Sequence, residues 1–113
     1  MEKFKREAET LLELTQDVEQ HRDNTRQIIR FINALAKVET FSVADFLNRA
    51  QLLAAADMLL YVANNWNGNE WLGVNPVYFP RYTDTPEFKQ AVRERFDRTI
   101  KSVKETCLNL NAQ

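Results

Sequence analysis

Apolar and polar positions alternate with a helical period over most of the chain. From about Glu2 to Gln20, Phe4, Ala8, Leu11, Thr15 and Val18 recur at spacings of three and four, and Leu12 and Leu14 widen the stripe. No apolar residue then occurs until Ile28. The polar run His21-Arg22-Asp23-Asn24-Thr25 therefore predicts a break or bend, with Asp23 or Asn24 offering a side-chain oxygen to cap a new helix. One continuous helix with a polar middle is the alternative. Over residues 25–38, Ile28, Ile29, Phe31, Ile32, Leu35, Ala36 and Val38 form a broad apolar face. Arg26, Arg30, Asn33 and Lys37 occupy the other side, as in an amphipathic helix.

The third segment starts at Ser42, an N-cap with Asp45 three residues on and Phe41 placed as a hydrophobic staple. It runs to about residue 64 as VADFLNRAQLLAAADMLLYVAN, and from Leu52 to Ala63 only Asp57 is polar. A helix apolar on every side is ordinarily buried on every side, so this segment reads as the central helix. The last helix opens with Thr85-Pro86-Glu87, a cap, a proline at the first position and an early acid. It spans about 86–108 and carries Phe88, Val92, Phe96, Ile100, Val103 and Cys107 on one stripe; residues 109–113 are expected to fray.

Between the third and last helices the pattern stops. Residues 64–86, NNWNGNEWLGVNPVYFPRYTDTP, hold every glycine and proline of the chain and both tryptophans. Residues 65–85 read as one long irregular loop, with a short extended piece conceivable around 77–82. Its apolar residues favour order over disorder. The expected architecture is a single all-α domain over residues 1–113: a four- to five-helix bundle, up-down in topology, with this aromatic, Gly/Pro-containing loop before the last helix.

Composition changes this picture little. The chain has 113 residues, enough for one core, with a net charge of −1 that gives no global pull toward nucleic acid or anionic membranes. The opening MEKFKREAE is charged where a signal peptide would be apolar, and no apolar run suits a bilayer. A single cysteine, Cys107, makes no internal disulfide. These features point to a cytoplasmic protein.

Charge is unevenly distributed. Residues 7–20 contain five acids and no base, whereas Lys89, Arg93, Arg95, Arg98, Lys101 and Lys104 crowd the last helix against Glu94 and Asp97. One account is that the acidic first and basic last helices lie together, within one chain or across a dimer. Another is a nucleic-acid contact through Arg22, Arg26, Arg30 and Lys37 with Lys89, Arg93, Arg98 and Lys101, each neutralised phosphate releasing counterions.

Candidate chemistry is sparse. One histidine and one cysteine exclude a conventional zinc site, and no calcium loop is spelled out, so no metal is expected. Neither G-x-G-x-x-G nor G-x-x-x-x-G-K occurs, and no cofactor is expected. Ser42, Ser102 and Cys107 are accounted for by a cap, a helix surface and a core stripe, and no enzymatic activity is expected. Asp57 falls among Phe46, Ala50, Leu53 and Tyr61. Burial there would make it either a structural hydrogen-bonding group or a ligand- or proton-binding carboxylate.

The aromatic loop offers residue types that dominate interface hot spots: Tyr78, Phe79, Arg81 and Tyr82 at its more exposed end, Trp66 and Trp71 at its more buried end. The expected function is a small non-enzymatic interaction module, such as a regulator, inhibitor, adaptor or subunit, that binds another protein or a second copy. Nucleic-acid binding and an Asp57-centred site are the alternatives.

Overall fold

The computed structural model describes residues 4–20, 22, 24–67, 70–71 and 86–111. Among these are four helices: α1 (Lys5–Glu19), α2 (Thr25–Ala36), α3 (Val43–Asn65) and α4 (Pro86–Asn111). The fold is an all-α bundle. α1 packs on α4 and α3, α2 packs on α3 and α1, and α3 packs on α4. That is the order of neighbours expected of an up-down bundle. The bundle is a rod of 51 × 23 × 23 Å, so its helices share a narrow core along their length.

That core follows the periodic stripes. Phe4, Ala8, Leu11, Leu14 and Val18 come from α1 and its first turn, and Phe96, Ile100, Val103, Cys107 and Leu110 come from α4. α3 supplies Leu52, Ala55, Ala56, Leu59 and Val62. α2 supplies only Ile28 and Leu35 to the fully buried set, because Phe31, Ile32 and Val38 are half-buried and Ile29 is exposed. Thr15 is buried within the α1 stripe, where its hydroxyl donates to the Leu11 carbonyl at 2.7 Å. The bond satisfies a polar group that would otherwise cost free energy to bury.

The break after α1 is real. Asp17 organises it, accepting from Arg22 Nη1 at 3.3 Å and from Asn24 Nδ2. Asn24 is thus not the side-chain cap of α2: its amide turns back to α1 and it makes no side-chain cap bond. Asp23 lies outside the described residues. Ser42 does cap α3, its Oγ accepting the Asp45 N–H at 3.1 Å. Phe41, placed as a staple, is instead 82% exposed. Arg49 Nη1 donates to the Val38 carbonyl, which ties the connection after α2 to α3.

Three other expectations are corrected. α4 continues past residue 108 to Asn111, because Leu110 extends its buried stripe by one more turn and is itself buried. The segment after α3 is not wholly irregular: Trp66–Asn67 (β1) and Glu70–Trp71 (β2) pair antiparallel, Trp66 opposite Trp71, and β2 lies against α4. Finally, α3 is not surrounded. Its Leu52–Val62 side is buried against the other three helices, while Phe46, Ala50, Asp57, Met58 and Tyr61 are exposed. Three neighbours on one side cannot cover a helix that is apolar all round.

Candidate functional site

The solvent-facing side of α3 is the most unusual surface among the described residues. Val43 is 75% exposed, Leu47 53%, Phe46 52%, Tyr61 48% and Met58 42%. Ala50 and Ala54 lie exposed between them. At 100° per residue these positions fall on one side of the helix, opposite Leu52, Ala55 and Leu59. Among the exposed positions from Val43 to Tyr61 only Gln51 and Asp57 interrupt the apolar character. With large apolar side chains presenting about 150–200 Å² each when free, the exposed fractions leave roughly 500 Å² of apolar surface on one helix face. A patch of that size lies within the range of the largest apolar patch on an ordinary monomer, which is often functional.

The surroundings give this face a cationic edge. The Arg49 guanidinium lies over the Phe46 ring, 5.7 Å from its centroid, a cation–π arrangement that holds the ring against α3. Next to Met58 is an open cleft of about 380 Å³ lined by Arg95, Arg98 and Thr99 of α4.

Asp57 is exposed, not buried as the wheel implied. The face to which it belongs is the one left in water. Tyr78, Phe79, Arg81 and Tyr82 lie outside the described residues. Trp66 and Trp71 are opposite one another as backbone partners of two short antiparallel strands. Strands of two residues are too short to show the alternation by which a sequence announces them.

The basic residues Arg22, Arg26, Arg30, Lys37, Lys89, Arg93, Arg98 and Lys101 are all exposed. They divide between α2 with its flanks and α4, which pack against α3 from separate positions in the bundle. Part of the charge segregation is internal. Lys104 Nζ lies 2.7 Å from Glu19 Oε1, joining the basic last helix to the acidic first one, as adjacency of the two predicts.

Among the described residues no three His, Cys, Asp or Glu side chains converge as metal ligands, and no helix is long and apolar enough to cross a membrane. Cys107 is buried, and desolvation pushes its thiol from an ordinary 9.0 to about 11. That is the opposite of the lowered value a nucleophilic thiolate needs. Compared with protein-family models, curated proteins and solved structures, the chain matches none.

Proposed function

We propose that this protein is a small non-enzymatic interaction module whose contact surface is the solvent-facing side of α3. One observation carries the reading: a 23-residue helix, apolar on both sides, has one side packed in the bundle and the other in water. Leaving such a face bare costs solubility and gains the fold nothing, whereas covering it with another protein removes the exposed area from water. Arg98, in the cleft beside Met58, favours a partner with carboxylates at its rim. A regulator, inhibitor, adaptor or small subunit would each use a surface of this kind. The lone buried cysteine fits a reducing, cytoplasmic setting for it.

The test is quantitative capture from cells that make the protein, comparing the wild-type chain with a Leu47→Glu/Met58→Glu variant. Both positions are half-exposed, so circular dichroism should show an unchanged bundle. Proteins or copies retained by the wild type and lost by the variant support the reading. Equal capture by both chains removes the α3 face as the contact surface.

A further inference from the structure

The size pattern along the exposed side of α3 is close to a palindrome. Taken outward from residue 52, Ala50 mirrors Ala54, Leu47 mirrors Asp57, Phe46 mirrors Met58 and Val43 mirrors Tyr61. Small residues thus sit at the centre and large ones at both ends. The exposed positions 43, 47, 50, 54, 57 and 61 alternate spacings of four and three, the repeat that keeps one helix seam against another. A two-fold axis level with residue 52 sets Ala50 against Ala54 at the centre of such a pair and leaves the larger side chains toward its ends.

Resting on the interaction reading above, we propose that the occupant of this face is a second copy of the chain, with the two α3 helices antiparallel and the two-fold axis beside residue 52. In that register Ala50 and Ala54 of one copy meet Ala54 and Ala50 of the other, and two alanine pairs permit axes to approach at the close end of the 8–10 Å range of packed helices. Phe46 of each copy comes level with Met58 of the other, the two on opposite flanks of the seam.

Charge agrees with the same register. Asp57 of one copy comes level with Leu47 of the other, and Arg49 lies two residues on, about 3 Å along the axis. Because the Arg49 guanidinium already covers Phe46, it stands on the flank that the second copy's Asp57 approaches. The symmetric seam therefore holds two acid–base pairs, one at each end. A polar position inside an apolar seam fixes register at a cost in stability. Asp57, unexplained within one chain, acquires a role. Both copies together cover about 1,000 Å² of side-chain surface, below the roughly 1,200–2,000 Å² of stable interfaces, which sets the expected dissociation constant in the micromolar range or weaker.

Sedimentation equilibrium of the purified full chain from about 1 to 500 µM tests this. A reversible monomer–dimer equilibrium with a midpoint of roughly 1–100 µM is expected, and Leu47→Glu should weaken it at least ten-fold with the circular dichroism spectrum unchanged. Orientation is read by oxidising a mixture of Ala50→Cys and Ala54→Cys chains, in which buried Cys107 does not compete. Links between positions 50 and 54 should form faster than either self-link. Dominant self-links indicate a parallel pair and overturn the register. A chain that stays monomeric to 500 µM, or a dimer indifferent to Leu47→Glu, overturns the second copy as occupant. If the chain is monomeric yet the Leu47→Glu/Met58→Glu variant still loses captured proteins, only the choice of partner falls.

Discussion

Leu59 and Leu47 are the same residue type on the same helix, twelve positions apart, and the fold assigns them opposite fates. Leu59 is fully buried in the core and Leu47 is 53% exposed. Truncating Leu59 to alanine removes three carbons from a packed interior that relaxes only in part, so the loss should be about 3–5 kcal/mol. The same truncation at Leu47 opens no closed cavity and gives up only half the burial, so it should cost less than about 1 kcal/mol. For a domain of this length 1 kcal/mol corresponds to about 4 °C at the midpoint, giving a fall of about 12–20 °C for Leu59→Ala against less than about 4 °C for Leu47→Ala. Urea unfolding followed by circular dichroism, at a protein concentration below 1 µM so that association does not contribute, measures both. Equal losses at the two sites would refute the facing assigned to α3, and with it the contact surface proposed for that helix.

Three further outcomes follow from named groups. Ser42→Ala removes the hydroxyl that accepts the Asp45 N–H and should cost about 1 kcal/mol in the same urea titration. Glu19→Gln breaks the pair with Lys104, which is partly exposed on both sides; its effect should stay under about 1 kcal/mol and shrink further in 0.5 M salt. Cys107 should react with a disulfide reagent only as fast as the chain unfolds. Its thiol pKa is raised in the fold, so the stability it contributes is complete below pH 9. That contribution is lost as pH rises toward 11, about 2–3 kcal/mol in all, and Cys107→Ala should flatten this alkaline slope.

What the pattern of residues revealed about the fold was decided by length. α1 and α4 carry stripes long enough to fix both their existence and their buried side, and Phe4, Leu11, Val18, Phe96, Ile100 and Val103 are buried where a period of 3.6 places them. The Ser42 cap was legible because its chemistry is local to four residues. Of the two cap candidates Asp23 and Asn24, Asn24 is not the cap: its amide is claimed by Asp17, seven residues back, and nothing local announces that competition. The end of α4 was placed three residues early because polar Asn109 and Asn111 flank Leu110, and the tertiary packing of that one leucine outweighs them.

The misreading of α3 has a different source, and it identifies the surface. A helical wheel reports that a residue is apolar but not how many neighbours the fold can supply. α3 is apolar round its circumference over Leu52–Ala63, and four helices in a rod give it company on one side only. Asp57 carries the consequence. Under the all-buried reading it is a carboxylate requiring a hidden donor; on the exposed face it is a solvated acid in the middle of an apolar stripe. A stripe meant only for water would not alternate Val43, Leu47, Ala50 and Ala54 around such an acid. A stripe meant only for a core would not contain the acid at all. A seam between two helices accommodates both, since a single polar position can set register while the apolar ones supply the area. Substituting Asp57→Leu separates these possibilities. It leaves a solvated surface and a folded monomer unchanged, but in a paired α3 it lengthens the apolar seam and frees its register. Dimerisation should then tighten by about ten-fold, and the 50–54 crosslink should lose its advantage over the self-links. An unchanged association constant for Asp57→Leu would mean that the acid lies outside any seam, and the antiparallel register proposed for α3 would be wrong.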